Sequence, residues 1–303
     1  MRRRVARLML VALGLLVALV LAAAVTFRLQ DQTNGTLVSS GRERSYLLYV
    51  PDSYDPSTPT PLVITIHGFA QWPAHQMRLS GWNDLADRYG FIVVYPSGTG
   101  FPRRWAAGNG SSGGDDPLSE VIFISELITK LEGEYNIDPT RIYANGLSNG
   151  GGMSFLLSCA LSQRIAAVGL VSGAYLYPWE QCSRDPVPAV VFHGTDDPIV
   201  PYGGGPSRSF NVPFPNIPEW VDTLAQRNGC DPGYDQLAQT GEVTRIRYTG
   251  CEADVVFYTV AGGGHSWPGG EPLPAFLTGY TTQDIDATQV IWDFFEGHPL
   301  PTE

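Results

Sequence analysis

Apolar, β-branched runs of four to six residues recur along the chain, and longer segments of helical spacing lie between them. The runs at 46–50, 62–66, 91–95, 141–144, 167–171, 189–192 and 255–260 read as strands. Segments 80–89, 118–135, 151–161, 218–228 and 283–296 carry apolar residues at helical period. That alternation predicts an α/β architecture with a mostly parallel central sheet and crossover helices on both faces.

Several predicted strands run straight into turn residues: His67-Gly68, Pro96-Ser97-Gly98, Asn145-Gly146 and His193-Gly194. In an open α/β sheet, functional groups collect at the carboxyl ends of strands, so chemistry is expected at these four turns. Residues 98–117, 201–218 and 262–282 read as long ordered loops, rich in Gly, Pro and aromatics, that wall the mouth of a site.

The 303 residues fit one large unit with a substantial core. A formal net charge of -11 repels phosphate backbones and anionic headgroups, which argues against nucleic-acid binding and against membrane-surface binding. The N-terminus departs from this balance. Arg2, Arg3, Arg4 and Arg7 precede an unbroken apolar run over 8–25, and Ala22-Ala23-Ala24 offers a small-residue cleavage site. Residues 1–30 therefore read as a signal peptide, or as an uncleaved membrane anchor, and residues 31–303 as a single catalytic domain outside the cytoplasm.

The four cysteines, Cys159, Cys182, Cys230 and Cys251, lack the C-x-x-C spacing of zinc or redox sites. Three pairings exist, and the sequential one is favoured: Cys159 with Cys182 and Cys230 with Cys251. Each bridge would contribute about 3 kcal/mol, and an oxidising compartment is implied.

The sharpest chemical signal is Gly146-Leu147-Ser148-Asn149-Gly150, placed between a predicted strand and a predicted helix. A serine on so tight a turn is held in strained backbone, and the flanking glycines let strand and helix approach closely. The helix N-terminus presents free N–H groups where negative charge develops. Ser148 is thus the candidate nucleophile.

Its partners should follow in the order acid, then histidine. His67 and His75 precede Ser148, His193 closes a strand where an acid loop is expected, and His298 lies in a Pro-rich tail. His265, after the Gly262-Gly263-Gly264 turn, remains as general base. Asp196 and Asp197 both follow the strand at 189–192, and spacing only slightly favours Asp197. For the oxyanion, the backbone N–H groups of Asn149 and of Phe69, in the loop after the strand at 62–66, are the expected donors.

Together these pieces resemble the polyhydroxybutyrate depolymerase and feruloyl esterase family of small secreted α/β-hydrolases. The resemblance runs from about Arg44 to the C-terminus. It rests on His67-Gly68 with Gln71, Ile137-Asp138-Pro139-Thr140-Arg141-Ile142-Tyr143 and Gly146-Leu147-Ser148-Asn149-Gly150-Gly151-Gly152-Met153. It continues in His193-Gly194-Thr195-Asp196-Asp197-Pro198, in Trp220 with Asn228-Gly229-Cys230, and in Gly263-Gly264-His265-Ser266-Trp267-Pro268. It implies the α/β-hydrolase fold, Asp197 as the acid, His265 as the base and a disulfide like Cys230–Cys251. Two departures stand out. Asp115-Asp116 is separated from Val121-Ile122-Phe123, where the family pattern runs aspartates directly into Val-x-Phe. Phe69 also stands where small or polar residues are common.

The expected reaction is hydrolysis of a feruloyl, acetyl or short hydroxyalkanoate ester through an acyl-enzyme, with no metal, nucleotide or other cofactor required. Activity should fall when the base is protonated. Trp72, Trp105 and Trp267 are candidate substrate-binding aromatics, with packing under the loops as the competing role. With no polymer-binding module after the last helix, soluble esters or oligomers are favoured over crystalline polymer. An acyltransferase on the same fold, a peptidase and a non-catalytic surface binding protein are the alternatives. The sequence does not address oligomeric state.

Overall fold

The computed structural model describes residues 32–108 and 116–301. The segment read as a signal peptide or anchor lies outside the described residues, as do Asn109, Ser111 and Asp115. Among the described residues no helix is long and apolar enough to cross a membrane.

Ten strands form one sheet. They are β1 (Gly35–Ser39), β2 (Arg42–Tyr49), β3 (Thr60–Ile66), β4 (Ile92–Pro96), β5 (Ile137–Leu147), β6 (Ala167–Val171), β7 (Ala189–Gly194), β8 (Tyr234–Thr240), β9 (Val243–Tyr248) and β10 (Val255–Val260). Their spatial order is β1-β2-β4-β3-β5-β6-β7-β10-β9-β8. The run from β4 to β10 is parallel, and antiparallel hairpins close both edges. All seven predicted strands are present, and the parallel core with helices on both faces is the expected architecture.

The helices are α1 (Pro73–Ser80), α2 (Trp82–Tyr89), α3 (Pro117–Glu134), α4 (Asn149–Ala160), α5 (Ile217–Arg227), α6 (Ala275–Thr278) and α7 (Ala287–Glu296). Strand alternation splits the core into two layers. Leu62, Ile64 and Ile66 of β3 face α3, α4 and α5, through Phe123, Leu127, Phe155 and Trp220. Val63, with Val93 and Tyr95 of β4, faces α2 and α7 through Trp82, Leu85, Trp292 and Phe295.

Three strands, β1, β8 and β9, and two helices, α1 and α6, went unforeseen. β8 is exposed along almost its whole length and reads Tyr-Asp-Gln-Leu-Ala-Gln-Thr, so no apolar period marks it. β1 joins β2 through Ser40 and Gly41, both at positive φ (49° and 72°), a hairpin turn that the sequence signals only weakly. The helix expected over 80–89 is α2, which begins at Trp82 because Gly81, at φ 67°, separates it from α1. The last helix starts at Ala287, where Asp286 caps the N–H groups of Thr288 and Gln289, rather than at residue 283.

Two features brace the loop that leads to the site. Asp116 caps α3 by accepting from the Ser119 N–H. One turn on, Glu120 is fully buried and pairs with Arg44 at 2.8 Å, and its other oxygen accepts from the Ala106 N–H at 3.4 Å. The Arg44 guanidinium also lies 3.9 Å from the centre of the Phe123 ring. The residues that separate the aspartates from Val121 therefore supply a cap and a buried ion pair. Both sequential disulfides, Cys159–Cys182 and Cys230–Cys251, are formed.

Candidate active site

Ser148 sits between the end of β5 and the start of α4 with φ 59° and ψ -120°. That region is costly for any residue with a Cβ. The surrounding packing enforces it. A Cβ at Gly150 would lie 2.0 Å from the Ile66 carbonyl oxygen, and one at Gly146 would lie 2.6 Å from the same atom. Strand β3 thus presses directly on both glycines, and the turn between them has no room to relax. Ser148 is half-buried and lines a cavity of about 390 Å³.

His265 follows β10. The turn before it is packed tightly rather than hung loosely: a Cβ at Gly264 would lie 2.1 Å from the Thr278 carbonyl oxygen, and the His265 N–H donates to that oxygen at 2.6 Å. Its Nδ1 lies 2.8 Å from Asp197 Oδ2. Asp197 is buried at the end of β7, and its Oδ1 accepts from the Ile199 and Val200 N–H groups, each at 2.8 Å. Burial alone would raise this carboxyl, but the charge and hydrogen bond of His265, the nearby His193 and the Val200 N–H outweigh it and hold it below the usual range. Asp196 is exposed, and its backbone N–H donates to Gly263. Of the two candidates, Asp197 is the one beside His265.

The loop after β3 is clamped from three sides. The Gly68 N–H donates to Gln71 Oε1 at 2.9 Å. The Ala70 N–H, at φ 58°, donates to the Arg103 carbonyl at 2.8 Å. His67 is fully buried, and its Nε2 accepts from the Gly98 N–H at 2.9 Å, so Nδ1 carries the proton and donates to the Gly68 carbonyl. Burial pushes this imidazole down to about 3, which keeps it neutral. Between the clamped amides of Gly68 and Ala70, the Phe69 N–H donates to no acceptor among the described residues, and neither does the Asn149 N–H at the start of α4.

The remaining cavity wall is apolar. Phe69 meets Phe210 edge-on at 5.4 Å, and Leu176, Ile199, Val200, Val212 and Phe214 complete one side. The opposite side is formed by Pro102, Arg104, Trp105 and Ala107 from the loop at 98–117.

The three candidate tryptophans part company. Trp105 lines the cavity, although its indole is fully buried and donates to the His67 carbonyl at 3.0 Å. Trp72 packs on His75 and is not among the lining residues. The substrate-binding reading of Trp267 is corrected: it is fully buried in the layer beside α7, and its Nε1 donates to Thr288 Oγ1 at 2.8 Å.

Two contributors escaped sequence reasoning. The Asn149 side chain accepts from the Trp105 N–H at 2.7 Å and donates to the Trp105 carbonyl at 3.1 Å, pinning the wall to α4. His193, set aside as the base, is buried behind the acid, and burial lowers its pKa. Its HG-x-x-D spacing to Asp197 was the available signal.

Comparison with known proteins shows the family. The model of the esterase PHB depolymerase family matches residues 44–199. Feruloyl esterase C of Emericella nidulans is 30% identical over 241 residues, 76% of this chain and 79% of that protein. The putative esterase NocK of Nocardia uniformis subsp. tsuyamanensis is 29% identical over 283 residues, 86% and 81% of the two chains. Among solved structures, an acetyl xylan esterase from Aspergillus awamori superposes with a TM-score of 0.58 at 16% identity, covering 77% of this chain and 93% of its own, a likeness of fold.

Proposed function

This chain belongs to the esterase PHB depolymerase family and is a carboxylic ester hydrolase, and we propose that it works through an acyl-enzyme on Ser148, with His265 as base and Asp197 as the acid that orients it. The observation that carries this reading is Ser148 at φ 59°, lining a cavity between two glycines that admit no side chain.

With Nδ1–H donated to Asp197, His265 keeps Nε2 as an acceptor for the Ser148 hydroxyl proton. Ser148 Oγ attacks the ester carbonyl, and the oxygen that gains charge takes the N–H groups of Phe69 and Asn149. Collapse expels the alcohol, which takes its proton from His265. Water, deprotonated by His265, then attacks the acyl-enzyme, and Ser148 regains its proton as the acid leaves. Asp197 fixes the tautomer and stabilises the imidazolium.

The apolar wall and a cavity of about 390 Å³ suit feruloyl, acetyl or short hydroxyalkanoate esters. Two disulfides support a location outside the cytoplasm. With that location go residues 1–30 as a signal peptide or anchor and residues 31–303 as the catalytic domain. The test is hydrolysis of chromogenic acyl esters, with Ser148→Ala as control. Equal rates in both proteins would end this assignment. A panel of methyl ferulate, acetylated sugars and hydroxybutyrate oligomers would then rank substrates.

A further inference from the structure

The cavity that holds Ser148 is apolar on nearly every side, yet one cation faces it. Arg104 lines the space together with Ser148, Phe69 and Trp105. It forms no ion pair among the described residues, although acidic residues outnumber basic ones by 30 to 19 in this chain. Among the described residues its guanidinium makes one hydrogen bond, from Nη1 to the Pro102 carbonyl at 3.0 Å. A guanidinium has five N–H groups, so most of its donors remain to be satisfied.

The backbone is arranged to hold this side chain where it stands. Thr99 and Arg104 exchange two backbone hydrogen bonds, each at 2.9 Å, closing a tight turn. Gly100 sits under the guanidinium at φ 74°, and a Cβ there would come within 3.1 Å of Nη1. The next residue, Trp105, is fully buried and is bound at both its N–H and its carbonyl by Asn149, the neighbour of Ser148. Arg104 is therefore anchored on the same frame as the nucleophile.

For a neutral ester a positive group beside this cavity offers at most a hydrogen bond. For an ester bearing a carboxylate it supplies a charge-assisted and potentially bidentate partner, from a half-buried position that solvent screens in part. We propose that Arg104 is a specificity-determining residue that selects esters carrying a free carboxylate. This inference rests on the reading of Ser148 as nucleophile. It narrows the substrate class to half-esters of dicarboxylic acids, or hydroxyacid oligomers with a free acid end.

The experiment compares matched ester pairs that differ in that charge. On the acyl side these are 4-nitrophenyl hydrogen glutarate and 4-nitrophenyl pentanoate, followed by nitrophenolate release. On the alcohol side they are 3-butanoyloxybutanoate and its methyl ester, followed by acid release. The measured quantity is the ratio of kcat/KM, charged over neutral, within each pair. In Arg104→Gln that ratio should fall about ten-fold or more in at least one pair, chiefly through KM, as expected for a lost bond to a charged group. Arg104→Lys should restore part of it, and added salt should lower it in the wild type but not in Arg104→Gln.

Because each ratio is taken within one protein, partial misfolding cancels. Unchanged ratios in both pairs, with neutral esters still hydrolysed, would overturn the role of Arg104 alone. Wild-type protein that cleaves neither member of either pair would overturn the Ser148 reading and this inference together.

Discussion

His193 Nε2 lies 3.4 Å from Asp197 Oδ2, the oxygen that also takes the hydrogen bond of His265. It donates to the Val200 carbonyl at 2.9 Å, while the Val200 N–H returns to Asp197 Oδ1. The acid is thus held inside a closed ring of contacts, beside one neutral imidazole and one that works. Asp197→Asn would keep the shape and break the logic. An amide presents one acceptor oxygen, which cannot serve both the Ile199 and Val200 N–H groups and the His265 Nδ1–H. The expected result is a fall in kcat of about 10⁴-fold from the wrong imidazole tautomer, measured at saturating chromogenic ester. A fall of less than about ten-fold would remove Asp197 from the triad, given that expected magnitude.

Buried neutral histidines tie stability to pH. His67 is held at about 3, and burial lowers His193 in the same direction. Their folded values lie below the unfolded value of about 6.5, so acid protonates the unfolded chain first. The stabilisation is complete above about pH 6.5 and is lost as pH falls below it, for His67 by about 1.4 kcal/mol per pH unit down to about 3. Denaturant midpoints should begin to drop near pH 6, well above the carboxylate range. A flat profile from pH 7 to 5 would refute the neutral, buried state of both rings.

The strain at Ser148 should be visible as stability. Glycine tolerates φ 59° without a Cβ clash, so Ser148→Gly should be more stable than Ser148→Ala by about 1 kcal/mol or more. Both variants should be inactive. Denaturant unfolding of the two proteins side by side isolates the backbone effect, since each lacks the hydroxyl. Equal midpoints would mean that no strain is stored at the turn.

Gly150→Ala tests the approach of β3. The new methyl would sit 2.0 Å from the Ile66 carbonyl oxygen, which forces β3 and α4 apart. Destabilisation of about 1–3 kcal/mol is expected, with loss of activity as the Asn149 N–H moves. Unchanged unfolding together with unchanged kcat would show that the junction yields without cost.

Much of this was legible in the sequence because short apolar runs and Gly-bounded turns carry their signal locally. The six strands of the parallel run carry apolar stretches and announced themselves, as did the apolar half of β2. β8 and β1 did not, since edge strands bury little and are fixed by their neighbours. Ser148 was readable because the glycines that the pressure of β3 demands stand two residues to either side of it. Trp267 was misread for the opposite reason. Its loop has the composition of a cavity wall, but its indole points to Thr288 of α7, a partner that only the fold supplies. Arg104 and the Asn149 side chain were missed likewise: an arginine in a loop and an asparagine after the nucleophile declare nothing until Trp105 is seen bound to Asn149.

The two disulfides join the C-terminal ends of α4 and α5 to the segments ahead of β7 and β10, at the N-terminal ends of the strands and opposite the end that carries Ser148. Covalent reinforcement is thus confined to the base of the molecule. The 201–218 segment, whose Phe210 meets Phe69, carries no disulfide and is held by hydrogen bonds and apolar packing. Replacing that segment with one of another length or composition would alter which esters enter while leaving the cross-linked foundation intact, so specificity and durability are open to separate adjustment.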